Sequence, residues 1–156
     1  MNSEDSLTNQ GEILKINEPC MQSLREIRFF SFFDQSELLE LVRSGTWIRI
    51  PSGTLIIREG RTEETLYVLV HGNVRVFKNK KTLDILESGS IFGEMGALLY
   101  EPRSANVITL EECYLFQYKE QDFLRLPKNI LYPVMKYIFS VTAKRLQKTN
   151  RKYALL

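Results

Sequence analysis

The chain has 156 residues, 44% hydrophobic and 26% charged, with a formal net charge of +2, which is the composition of an ordinary globular protein and not of a disordered, fibrous or disulfide-stapled one. That length suits one domain, large enough to bury roughly 70% of the surface its unfolded form would expose. The two cysteines, Cys20 and Cys113, stand in no metal or redox spacing and are expected as reduced packing residues; a polar, acidic start and no apolar run near about 18 residues give neither signal peptide nor membrane span, so a cytoplasmic location is expected.

Charge is unevenly spread along the chain. Eight Lys and Arg follow residue 124 with no Asp or Glu among them, which leaves the preceding part six charges negative. Such a tail can attract nucleic acid, an anionic membrane or an acidic protein, and it is equally the signature of a solvated helix with cations near its C-terminus.

In chain order, residues 1–17 are polar with scattered apolars and are expected as a flexible N-terminal segment, with residues 18–156 forming a single domain. Met21, Leu24, Ile27 and then Phe29 or Phe30 fall near helical spacing and predict a helix opened by Pro19. A second helix is predicted over 35–44, with Asp34 as N-cap, Glu37 three residues on, Phe33 stapling onto Leu38 and Gly45 at the stop. Short apolar or alternating runs follow at 47–50, 54–58, 66–70, 74–77, 82–86, 104–109 and 113–118, separated by turn residues such as Pro51-Ser52-Gly53 and His71-Gly72-Asn73. This spacing predicts an antiparallel sandwich or barrel. After a short helix over 119–126 and Pro127, a longer helix is predicted from about 129–133 to about Asn150, its apolar arc wide enough to exceed packing on one barrel.

The residue inventory argues against catalysis. His71 is the only histidine, so no histidine-based metal cage and no Ser-His-Asp arrangement can be built, and neither cysteine has a general base in view. Glu63-Glu64 and Glu111-Glu112 sit beside turns, where solvated charge explains them. No metal is expected.

The informative stretch is Ser90 to Val107, SIFGEMGALLYEPRSANV. A Phe-Gly-Glu step opens a helix-compatible run, so free backbone N–H groups and a positive helix start meet at one place. Ten residues after Gly93 comes Arg103, set in Pro-Arg-Ser-Ala, and a guanidinium can grip two phosphate oxygens at once. Phe92 and Met95 flank the Gly-Glu step. Together these residues describe a phosphate-binding pocket.

FGEMGALLYEPRSANV resembles the phosphate-binding cassette of the cyclic nucleotide-binding domain family, which includes protein kinase A regulatory subunits, cyclic-nucleotide-gated channels and catabolite-activator-type regulators, and the similarity spans about residues 23 to 150. The resemblance implies an α+β fold, an antiparallel β jelly-roll-like barrel with N-terminal helices and C-terminal hinge and lid helices. It implies that Gly93 lets the backbone approach a ribose, that Glu94 accepts from the ribose 2′-hydroxyl, and that Arg103 pairs with the cyclic phosphate with help from Ser104 and the Ala105 N–H. Gly96-Ala97 and Asn106 depart from the common pattern, the first in a way expected to loosen the short helix.

The expected function is therefore a non-enzymatic sensor that binds cAMP or cGMP and signals by rearranging its C-terminal helices. Phe92, Gly93, Glu94, Met95, Arg103, Ser104 and Ala105 are the expected ligand-binding residues. Only six residues follow Asn150, so the effector is expected to be a separate protein or a second copy met through the C-terminal helix. DNA is not the expected partner, since the basic tail lacks interleaved aromatics and a recognition helix. The alternative is a nucleotide-independent interaction scaffold that has kept the fold.

Overall fold

The computed structural model describes residues 11–154. The first ten residues of the expected N-terminal segment lie outside the described residues. The end of that segment is structured: β1 (Glu12–Ile13) pairs antiparallel with β2 (Thr46–Ile50), and Glu12 forms an ion pair with Arg49.

The N-terminal helices begin where side chains cap them. Ahead of α1 (Glu18–Leu24), the Asn17 side chain accepts from the Cys20 N–H at 3.0 Å. The apolar spacing predicted one helix through to Phe30, but α1 stops at Leu24 and Arg28–Phe30 form a separate 3-10 turn. The break has a packing reason: Phe29 and Phe30 are both fully buried, and adjacent residues on a continuous α-helix point about 100° apart. α2 (Gln35–Arg43) follows with the predicted capping box, Glu37 N–H to Asp34 at 2.8 Å and Asp34 N–H to Glu37 at 3.2 Å. Loss of such a cap costs about 1 kcal/mol.

The remaining strands are β3 (Leu55–Ile57), β4 (Thr65–His71), β5 (Val74–Lys78), β6 (Lys81–Leu86), β7 (Ile91–Phe92), β8 (Asn106–Thr109) and β9 (Cys113–Lys119). They build two antiparallel sheets in the orders β1-β2-β9-β4-β7 and β3-β8-β5-β6, so the protein has the antiparallel β core with flanking N- and C-terminal helices of the jelly-roll class. The first sheet is apolar on both faces because its strands alternate between two cores. From β4 and β9, Leu66, Val68, Phe116 and Tyr118 face the helices, while Tyr67, Leu69, Cys113 and Leu115 face the second sheet. The buried Tyr118 hydroxyl donates to the Leu41 carbonyl at 3.1 Å, avoiding the roughly 1 to 3 kcal/mol cost of an orphaned buried donor.

Between β7 and β8 lies α3 (Glu94–Leu99), and after β9 come α4 (Glu120–Phe123) and α5 (Lys128–Ala154). α5 starts earlier than predicted and holds Pro133 within it. The Pro127 carbonyl accepts from both Ile130 and Leu131 N–H groups, so the first turn closes ahead of Pro133. A proline that near the start sacrifices one helical bond and does not end the helix. Ile130, Val134 and Ile138 bury one face of α5 against the helical core. Among the described residues no helix is long and apolar enough to cross a membrane.

Candidate functional site

The chain reaches the site along β7, whose Phe92 is paired with Tyr67 of β4 and stacked on its ring at a centroid distance of 5.1 Å. Gly93 then turns in the left-handed region, φ 77°, and caps α3. A Cβ here would lie 3.0 Å from Arg103 Nη1 and 3.1 Å from the Thr65 carbonyl, so glycine is required both by conformation and by the close approach. α3 ends at Leu99 with Tyr100 left-handed at φ 53°, and Pro102 keeps the following loop extended.

That loop is tied to its neighbour by main-chain bonds. Arg103 N–H donates to the Arg61 carbonyl and Gly60 N–H to the Arg103 carbonyl, each at 2.8 Å. Asn106, one of the departures noted in the sequence, accepts the Glu59 N–H on its side chain at 2.9 Å. The result is a rigid seat for Arg103, which is 4% exposed. Its Nη1 donates to the Gly93 carbonyl at 2.7 Å and its Nη2 to the Thr65 carbonyl at 2.5 Å, while the buried Nε has no hydrogen-bond partner among the described residues. Burial lowers the guanidinium pKa, and Tyr67, Glu63 and Glu94 act in the opposite direction; the group stays a cation at neutral pH.

Gly96 serves this seat as well. The sequence suggested that glycine here loosens α3, but a Cβ at Gly96 would stand 2.8 Å from Arg103 Nη1 and 3.1 Å from its Cδ. Its missing side chain is the space that the arginine fills.

Phe92, Gly93, Glu94, Met95, Arg103, Ser104 and Ala105 all border one cavity of about 530 Å³, closed on the barrel side by Ile57, Val76, Leu86 and Val107. That volume lies within the range of small-ligand sites, with an apolar floor and a few convergent polar groups. A buried cation beside the start of a short helix suits an anion, and the carboxylate next to it is an acceptor for a hydroxyl.

The carboxylate is already engaged from far along the chain. Glu94 is 5% exposed; its Oε1 accepts from Arg145 Nη1 at 3.0 Å and from the Thr142 hydroxyl at 3.2 Å, both on α5. Arg145 also donates to the Ile91 carbonyl and borders the cavity. A second tie runs from the end of α3, where the Tyr100 hydroxyl donates to the buried Glu120 of α4 at 2.6 Å. The cassette is thus bonded to both C-terminal helices. Sequence reasoning missed Thr142, Arg145 and Glu120, which belong to no local motif; the only signal was an arginine on the helix face that carries the buried Ile138 and the half-buried Val141.

Both cysteines are free thiols, and burial pushes the Cys113 thiol up to about 11, which keeps it protonated. His71 is exposed at the end of β4 with its ring edge against Tyr114. Among the described residues no cluster of His, Cys, Asp and Glu is placed to hold a metal ion.

Known proteins resemble this chain in sequence and in fold. A cyclic AMP receptor protein of Thermus thermophilus is 30% identical over 112 residues, 68% of this chain and 51% of that one. A cGMP-dependent protein kinase of Drosophila melanogaster is 30% identical over 95 residues, 61% of this chain and 9% of the kinase. The chain therefore spans from about a tenth to about half the length of these relatives. A solved cyclic nucleotide-binding domain from Methylobacillus flagellatus superposes with a TM-score of 0.85 at 19% identity, covering 96% of this chain and 90% of that one, which speaks to the fold. The family model described as the cyclic nucleotide-binding domain matches residues 47–129, more than half of the chain and the part that holds the whole cassette, and the chain belongs to that family.

Proposed function

We propose that the chain binds a cyclic nucleotide, cAMP or cGMP, in the cavity of α3 and signals through its C-terminal helices without doing chemistry on the ligand. The observation that carries this reading is Arg103, a buried guanidinium held over the start of α3 with its Nε unpartnered. The cyclic phosphate sits against Arg103 and the adjoining N–H groups, with Ser104 and Ala105 beside it. The ribose lies over Gly93 with its 2′-hydroxyl on Glu94, and Phe92 and Met95 flank the sugar.

Glu94 connects binding to motion. Its Oε1 is held by Arg145 and Thr142, so a ribose hydroxyl and α5 compete for one carboxylate. Nucleotide takes the carboxylate, the Arg145 contact weakens, and α5 is freed to re-seat against the ligand or a separate effector protein. A ligand shifts such an equilibrium only by its difference in affinity for the two states, and here the difference is this exchange of partners. The relatives carry both cAMP and cGMP in their names, so both are candidates. Calorimetry of the purified protein with each nucleotide, repeated on Arg103→Ala, tests the reading; heat with neither nucleotide overturns it.

One observation favours the alternative, a nucleotide-independent scaffold: Arg103 and Glu94 both have partners within the chain. Under that alternative, denaturing the protein releases no nucleotide and none can be loaded.

A further inference from the structure

The cavity beside α3 has a wall that the cassette does not supply. Across the second sheet, Val107 of β8 is paired with Val76 of β5, and Val76 with Asp84 of β6; all three border the cavity. Residues paired across strands point to the same face, so the row runs away from the cassette as Val107, Val76 and Asp84. Neighbouring strands lie about 4.8 Å apart, which sets Asp84 roughly 10 Å from Val107.

A carboxylate is out of place in that row. Val107 and Leu86 belong to the core between the sheets and Val76 packs on it, while Leu83 and Ile85, on either side of Asp84, are exposed. β6 thus turns apolar side chains to solvent and an acid to the cavity, the reverse of the alternation that favours stability. Asp84 Oδ1 accepts from the Ile85 N–H at 2.9 Å, which orients the carboxylate, and Oδ2 has no partner among the described residues. The other carboxylates of the cavity are placed differently. Glu94 is bonded to Arg145 and Thr142, and Glu101 lies in the loop two residues before Arg103.

With the phosphate at Arg103 and the ribose at Glu94, the base extends along this row and meets Asp84. An ionised carboxylate only accepts hydrogen bonds. Guanine offers it two parallel donors, N1–H and the N2 amino group, which suit the two oxygens of one carboxylate. Adenine offers a single amino donor at N6 beside the N1 lone pair, which the carboxylate repels. Asp84 is exposed, so a base that covers it without replacing its bonds to water loses affinity.

We propose that Asp84 reads the base and makes the cavity a cGMP site in preference to a cAMP site. This specificity rests on the reading of the cavity proposed above and adds to it the choice between the two nucleotides.

The test is calorimetry of the 156-residue chain with cGMP, cIMP and cAMP, where cIMP keeps the N1–H of guanine and lacks its N2 amino group. Affinity is expected to fall in that order, with cGMP at least about tenfold tighter than cAMP and cIMP between them. In Asp84→Ala the ratio of cGMP to cAMP affinity is expected to drop to within about twofold. The ratio is the readout because Asp84 also repels the phosphate of each ligand, a contribution that cancels between nucleotides of equal charge. The order on the wild-type chain does not hang on any variant folding. Equal affinities or a preference for cAMP overturn the proposal, as does a cGMP preference that Asp84→Ala leaves unchanged. Those outcomes leave the cavity a nucleotide site. Heat with none of the three nucleotides ends that broader reading, and the role of Asp84 with it.

Discussion

The cassette and α5 each bring one arginine to the same cavity, and the two are held in opposite ways. Arg103 is 4% exposed and bonded to main-chain carbonyls of Gly93 and Thr65, which the sheet and the α3 cap hold in place. Arg145 has a side chain 35% exposed and leans on the Glu94 carboxylate, the group proposed above to accept from a ligand hydroxyl. A fixed charge suits recognition, since it is oriented before the ligand arrives. An exchangeable bond suits reporting, since losing it changes the helix that made it. The expectation that follows is asymmetric: removing Arg103 should destroy affinity, and removing Arg145 should improve it.

The largest effect expected is from Arg103→Ala. A charge-assisted bond contributes about 1.5 to 3 kcal/mol, so nucleotide affinity should fall roughly ten- to hundred-fold or more by calorimetry; unchanged affinity would remove Arg103 from the site. Glu94→Ala comes next. Wild-type protein should prefer a ribose over a 2′-deoxyribose ligand, and the substitution should narrow that preference by about 1 to 3 kcal/mol. Identical ratios for both proteins would give Glu94 some other role.

Arg145→Ala sharpens the comparison, because here the expected sign reverses. It frees the buried Glu94 carboxylate from a partly exposed arginine, so nucleotide affinity should rise about fivefold. A fall in affinity would mean that Arg145 touches the ligand and that both arginines recognise it. Thr142→Val removes a weaker bond to the same carboxylate and should raise affinity about twofold, an effect seen best as a slower nucleotide off-rate in stopped flow.

The same contrast explains what could be read from the sequence. Gly93, Glu94 and Arg103 lie within eleven consecutive positions, and the bond from Arg103 to the Gly93 carbonyl spans only ten residues; local chemistry of this kind leaves a motif. The capping box at Asp34 and Glu37 was legible for the same reason, since both of its bonds span three residues. Thr142 and Arg145 reach Glu94 across 48 and 51 residues, a distance set by the way α5 returns over the barrel, and nothing in the local sequence of α5 encodes that return. The two-residue strands β1 and β7 were missed because they are too short to show alternation. The break between α1 and the 3-10 turn was hidden because a helical reading accommodates either Phe29 or Phe30, and the core takes both. The start of α5 was placed too late because Pro133 invites a boundary there, where the Pro127 carbonyl had already closed the first turn.

Hydrogen exchange with and without nucleotide tests the central claim most directly, because it reads the cassette and α5 in one experiment. The account expects amide protection to rise from Ser90 to Val107 as the ligand bonds to the cassette, and to change around Thr142 and Arg145 as Glu94 is taken from α5. Protection that rises in the cassette while residues 133–150 stay as they were would contradict it, leaving a binding site with α5 as fixed structure.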